Sequence, residues 1–199
     1  MTKFPLQDPD PFTIFLRWFR EYGTSAKSNY PGACVLSTIG ADGFPNARNV
    51  SLKLFEFPYL IFGTSMNSPK SGEIARDPKV ALTFWWEEAM RQVRIQGMAS
   101  EVDKETADFL FETRKKSAQL VSHISEQSMD LDSWESLQKS YENKLKNSKD
   151  RIVERPATWG GFKVEPVRYE FMEFRESRLH ERVLYYRNGD GWETKMIQP

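Results

Sequence analysis

In the stretch ESRLHERVLYYR, Arg178, His180 and Arg182 recur at every second position, and His180 is one of only two histidines in the chain. If the segment is extended, alternate side chains share a face, and the three project a cationic, proton-exchanging row to one side. Such a row suits an anion, although a wet surface would look the same. Two further cation clusters stand apart from it. Arg48 and Lys53 lie in ARNVSLK, on a strand that follows a hairpin turn. In FGTSMNSPK a strand ends in Thr64 and Ser65, and Ser68 precedes a helix that carries Lys70. Hydroxyls and a lysine at a helix N-terminus suit phosphate, because free N–H groups and the dipole favour negative charge there. Gln92, Gln127 and Ser128 add neutral groups of the kind that read the edge of a planar heterocycle. No Ser-His-Asp grouping with recognisable context and no Walker or Rossmann glycine pattern accompanies them. Residue chemistry alone therefore reaches a β-rich domain with a phosphate site, and leaves the reaction open.

Composition makes any anion recognition local. Lys plus Arg number 28 and Asp plus Glu number 28, so no global field attracts nucleic acid or an anionic membrane. The start has no apolar signal region and no stretch approaches the ~20 apolar residues of a membrane span, so a soluble, cytoplasmic protein is expected. A single cysteine excludes an internal disulfide, and with two histidines it leaves no zinc ligand set; no metal is expected. Cys34, in GACVLSTIG, reads as a buried structural thiol, and His123, in LVSHIS, as a packing or interface residue. Aromatic residues make up 14% of the chain, which fits a compact core and also a flat ligand or a subunit interface.

The elements that must position these groups are mostly strands. Asp10 and Pro11 open a first helix with Phe12, Phe15, Trp18 and Phe19 at helical spacing, ended by Gly23. Short β-rich runs follow, separated by turn chemistry such as ADG, with one short helix capped at Ser68 and begun by Pro69. In RQVRIQG, Gln92, Arg94 and Gln96 alternate with Val93, Ile95 and Gly97. The middle of the chain turns helical, about 103–150, and its charged last helix, Asp132 to Asp150, reads as a solvated face. Strands then return around the turn NGDG. Strands at both ends imply one sheet system: a mainly β domain over 1–199, an antiparallel Greek-key barrel with helices packed outside and a helical insertion.

Seven motifs, RNVSLK, FGTSMNSPK, RQVRIQG, FETRKKSAQ, SEQS, WGGFKV and RLHERVLYYR, occur in an order and spacing that resemble the pyridoxine (pyridoxamine) 5′-phosphate oxidase family. The resemblance runs from about Pro9 to the final QP. It implies an FMN-binding split β-barrel and a homodimer with FMN in clefts between subunits. It also implies oxidation of pyridoxine or pyridoxamine 5′-phosphate to pyridoxal 5′-phosphate, with dioxygen reoxidising the flavin and giving hydrogen peroxide. Carried over by position, Arg48 and Lys70 resemble flavin phosphate ligands supported by Thr64 and Ser68. The strand through Asn49, Val50, Ser51, Leu52 and Lys53 resembles the one beside the flavin ring, and Gln92, Gln127, Ser128 and Arg182 match further flavin-contacting positions. Lys53 and Arg114 match cations on the substrate phosphate, and Arg178 and His180 the pair over the substrate ring.

Four positions depart from the family pattern. Pro69 replaces an arginine facing the flavin phosphate, Leu110 a tyrosine and Ala118 a serine on the substrate phosphate, and Met172 a tryptophan beside the flavin. Ser117, next to Ala118, is the neighbouring hydroxyl. Two lost hydroxyls cost about 1 kcal/mol each of binding. Two rival readings stand beside the oxidase: a family flavin oxidase with a diverged substrate, as in the phenazine-biosynthesis relatives, and a binder of FMN or pyridoxal phosphate without turnover.

Overall fold

The computed structural model describes residues 8–25, 30, 32–148 and 151–199. Helix α1 (Pro11–Ser25) begins as its sequence predicts. The Asp10 carboxylate accepts the N–H groups of Phe12 at 3.2 Å and Thr13 at 3.0 Å, and proline holds the first helical position. The helix runs two residues past Gly23, because a glycine inside a helix costs only ~1 kcal/mol and the apolar face holds it in place.

Strands β1 (Ala33–Ile39), β2 (Pro45–Glu56) and β3 (Tyr59–Ser65) form a meander, followed by helix α2 (Pro69–Arg76) and strands β4 (Lys79–Trp86) and β5 (Arg91–Glu101). Helices α3 (Lys104–Glu112), α4 (Lys116–Val121) and α5 (Trp134–Asn147) precede strands β6 (Trp159–Glu173), β7 (Glu181–Asn188) and β8 (Gly191–Ile197). All eight strands join one antiparallel sheet in the order β3-β2-β1-β4-β5-β6-β7-β8, and β3 also pairs with β6. That second pairing closes β1 to β6 into a six-stranded barrel. The return of β4 to the side of β1 is the Greek-key step the sequence reading anticipated.

Burial follows the strand period. Cys34, Leu36 and Thr38 point inward from β1, and Val93 and Ile95 from β5, while Arg94 is exposed. Burial pushes the Cys34 thiol up to about 12, which makes it an inert core group. Phe15 of α1 reaches Phe55 on β2, Phe84 on β4 and Tyr169 on β6 with ring centroids 5.1 to 6.4 Å apart. Those strands are not neighbours, so α1 must span the barrel mouth. Helix α3 packs Leu110 and Phe111 with Ile61 and Trp159. Helix α5 buries nothing, the solvated helix expected from its charge, and is shorter than Asp132 to Asp150.

The row expected of Arg178, His180 and Arg182 is not a strand face. Strand β7 starts only at Glu181, and Arg178 stands at φ 66° in a left-handed turn. The turn wins because it pairs its own polar backbone: Arg178 N–H donates to Arg175 O at 3.0 Å and His180 N–H to Arg178 O at 2.9 Å. Only Arg182 lies on the strand.

Phe15 is fully buried among five other rings. Phe15→Ala is expected to destabilise the fold by about 3–5 kcal/mol in urea unfolding; a loss under ~1 kcal/mol would mean that α1 is not part of the core.

Candidate functional site

The start of α2 builds the first group. Ser68 is the residue before the helix, yet its hydroxyl does not cap: it donates to Ser65 O at 2.7 Å and accepts from Lys70. Lys70, only 6% exposed, donates from Nζ to Gln127 Oε1 at 2.8 Å, Ser68 Oγ at 2.9 Å and Thr64 Oγ1 at 3.1 Å. All three partners are neutral, and among the described residues Lys70 forms no ion pair with a carboxylate. Burial, with the nearby Arg48 charge, lowers Lys70 to about 8 against a partial opposing effect from Glu73. A desolvated ammonium surrounded by neutral acceptors is an electrostatic vacancy for an anion.

Arg48 stands alongside but is already paired. Its guanidinium donates to Glu73 Oε2 at 3.0 Å and to the Thr38 hydroxyl, and Glu73 also accepts from Thr38 at 2.5 Å and Asn46 at 2.7 Å. Burial alone would raise Glu73, but hydrogen bonds from Thr38, Asn46 and Arg48 and the Arg48 charge outweigh it and hold the carboxyl below its ordinary value. The sequence reading missed Glu73. Its signal was an acid three residues beyond Lys70 on the same short helix. Arg48 and Lys53, neighbours in one motif, face different ways. The two are an odd number of residues apart on β2, so Arg48 turns toward α2 and Lys53 outward. Val50 and Leu52 pack toward the core, which leaves their backbone as the part that can face a ligand.

Lys53 lies instead in a cleft of about 740 Å³ with Arg114 and Ser117. Lys115 and Thr113 line the same cleft, as do Leu110 and Ala118, and among the described residues no acidic residue does. A smaller cavity of about 240 Å³ adjoins it across Arg114 and Trp159 and reaches Thr64 and Gln127. Arg114 lies 4.8 Å over the Trp159 ring and donates to Ala118 O at 3.0 Å, while its buried Nε has no partner. Burial pushes its pKa below the ordinary arginine value. Trp159 can sit under it only because residue 63 is glycine: a Cβ there would lie 2.3 Å from the indole. Lys115 and Gly63 escaped the sequence reading, which took FETRKKSAQ for Arg114 and Ser117 alone.

The remaining candidates gather far from this cleft. Gln92 pairs with Met172 and Met172 with Arg182, across β5, β6 and β7. Arg182 is held by Glu170 at 2.6 Å, and the same carboxylate takes Arg94 at 2.9 Å. Thr64 pairs with Gly160 at the other end of β6. The two groups are therefore separated by about 40 Å of strand contour at ~3.3 Å per residue. Ser128 and Arg178, one from each group, are two of the three non-glycine residues with positive φ among the described residues, a conformation that clusters at functional sites.

Residues 25–148 match the family model described as pyridoxamine 5′-phosphate oxidase, and residues 159–199 match the pyridoxine 5′-phosphate oxidase C-terminal dimerisation region. A pyridoxine/pyridoxamine 5′-phosphate oxidase of Rubrobacter xylanophilus is 43% identical over 192 residues, which is 96% of this chain and 88% of that protein. The chain belongs to the pyridoxine/pyridoxamine 5′-phosphate oxidase family. Among solved structures, PhzG from Burkholderia lata, in complex with tetrahydrophenazine-1-carboxylic acid, superposes with a TM-score of 0.92 at 27% identity, covering 98% of this chain and 97% of that one. A pyridoxamine 5′-phosphate oxidase-related, FMN-binding protein of Nostoc punctiforme gives 0.78 at 17% identity, over 96% and 98% of the two chains, and shares the split-barrel fold. Lys53, Lys70, Gln92, Arg114 and Gln127 lie in the first matched region, whereas Trp159, Arg178, His180 and Arg182 lie in the dimerisation region. Among the described residues no helix is long and apolar enough to cross a membrane.

The buried Lys70 sets a testable conflict between stability and binding. Its pKa is lowered to about 8 from 10.5, so the unfolded chain holds that proton more tightly. Stability should rise with pH between those values, and the cost of burying the charge is borne in full below about 8. Lys70→Met is expected to raise the melting temperature of the cofactor-free protein by a few degrees at neutral pH and to remove that rise, while weakening FMN binding. A variant that melts lower and binds FMN normally would reject the anion role.

Proposed function

We propose that this protein is an FMN-dependent oxidase that converts pyridoxamine or pyridoxine 5′-phosphate to pyridoxal 5′-phosphate, with dioxygen as acceptor and hydrogen peroxide as product. The observation that carries the reading is the cleft of three cations, Lys53, Arg114 and Lys115, which among the described residues has no acid in its lining and leaves the Arg114 Nε unpartnered. A phosphorylated ring fits it: the phosphate meets the cations and the ring meets the apolar wall. The Lys70 cluster, with Thr64, Ser68, Gln127 and the adjacent Arg48, is suited to the FMN phosphate. Bound FMN would supply the two-electron acceptor at N5 of its ring. Each turnover removes two hydrogens from the substrate; for the amine, water then enters and ammonia leaves, and dioxygen takes the electron pair and two protons.

The protein's part is positioning. Lys53 and Arg114 hold the substrate phosphate, Ser51 and the backbone of Asn49 to Leu52 line the flavin side, and Gln92, Ser128 and Arg182 meet the flavin. Arg178 and His180 cover the substrate ring. Because the groups sit at opposite ends of β6, one copy does not assemble the site, and we propose a homodimer in which FMN lies between the Lys70 cluster of one copy and the β5–β7 end of the other. The same placement argues that 1–199 works as a single FMN-binding domain.

A diverged substrate is favoured by a specific observation, the apolar Leu110 and Ala118 in the wall of the cleft, together with the likeness to PhzG. Three experiments test the readings. The protein purified with FMN and given pyridoxamine 5′-phosphate in air is expected to release pyridoxal 5′-phosphate and hydrogen peroxide in equal amounts; yellow protein with no turnover would sink the first reading. Arg178→Ala should lower kcat/KM about 100-fold at unchanged flavin content, and equal loss of both would refute its place on the substrate side. Ala118→Ser restores one hydroxyl, and a drop of about fivefold in KM for the phosphorylated substrate is expected from ~1 kcal/mol. No change in KM would favour a substrate whose phosphate does not meet this wall.

A further inference from the structure

The segment joining β6 to β7 is one hydrogen-bonded unit built around Arg175. Its guanidinium is clamped between Glu173 at 3.0 Å and Glu181 at 2.6 Å, the paired residues that end β6 and begin β7. Its carbonyl accepts the N–H of Arg178 at 3.0 Å, and its own N–H donates to Nδ1 of His180 at 3.1 Å. Phe174 lies 4.7 Å from the His180 ring and 4.7 Å from Trp85, so the imidazole rests against an aromatic shelf. The same turn keeps Arg178 at φ 66°, a conformation a non-glycine residue holds only when its surroundings impose it.

A backbone N–H aimed at Nδ1 makes that nitrogen an acceptor, and a neutral imidazole with its lone pair at Nδ1 carries its proton at Nε2. A base at Nε2 would need the opposite tautomer, which sets the Nδ1 proton against the Arg175 N–H, two donors 3.1 Å apart. We propose that Arg175 is a positioning residue that holds His180 in the Nε2–H tautomer, so that His180 gives the substrate a hydrogen-bond donor, suited to a ring oxygen, and not a base. This rests on the assignment of His180 to the substrate side. It also gives the two acids flanking the turn a purpose: together they fix the residue whose backbone fixes the ring.

The presence of only two histidines makes the test direct. In a His123→Gln background, the full-length FMN-loaded protein is labelled with ¹⁵N and examined by NMR at about pH 8.5, above the ordinary histidine range. The His180 signals are expected to report a proton at Nε2; a proton at Nδ1 overturns the proposal. Arg175→Ala keeps the backbone N–H and removes the clamp. It should mix the tautomers and lower kcat/KM about tenfold with flavin content unchanged, and a parental spectrum and parental rate would remove Arg175 from the role. His180→Gln, which retains an N–H donor, should stay within about tenfold of the parent. A loss of about 100-fold or more, equal to that of His180→Ala, would mark a base and overturn the donor role. A His180→Ala variant that turns over like the parent would refute the substrate-side assignment itself, even with the Nε2–H spectrum in hand.

Discussion

Strand β6 is long enough to be shared, and its sharing shapes everything else. Its 15 residues pair along one edge with β5, while the other edge is divided between β3 and β7. The β3 half closes the barrel, sets Thr64 opposite Gly160 and brings Trp159 against Gly63, which gives the cationic cleft its floor. The β7 half leaves the barrel and carries Arg182 and the turn that holds His180. A slip of one residue in either half would turn each of these side chains to the opposite face. The strand thus holds the two groups of candidate residues at a separation no side chain can bridge, and this makes the argument for the proposed second copy geometric.

The charges fall into two kinds, and the difference is informative. Arg48, Arg91, Arg155, Arg175 and Arg182 all have carboxylate partners that tie separate parts of the chain together. Lys53, Lys70, Arg114 and Lys115 have no such partner among the described residues, and two of them are drawn out of water. Desolvating a cation without a partner weakens the folded state, which is why these groups carry the proposed anion sites. In a chain with zero net charge, selective pairing is the means by which local anion affinity arises.

Much of the architecture was legible. The Asp10-Pro11 start, the alternation in RQVRIQG and the Ser68-Pro69 start of α2 each depend on residues within a few positions of one another, and local physics decides them. Lys53, Arg114 and Ser117 were chosen by motif resemblance, and they share a cleft. The failures were of a different type. The RLHER row has strand spacing, but spacing carries no information about where a strand begins, and the turn's own hydrogen bonds moved that start to Glu181. Arg48 and Lys53 are close in sequence, and the pleat sent them to opposite faces.

The sequence by itself determined the elements, the buried faces, the family and the stock of cations, because propensity, period and motif order are all read along the chain. Which cations are neutralised was decided only by the tertiary structure. Glu73 reaches Arg48 across 25 residues and Glu170 reaches Arg182 across 12, whereas Gln127 comes from 57 residues away to meet Lys70 without a charge. An ion pair depends on distance in space, and only the closed barrel sets that distance.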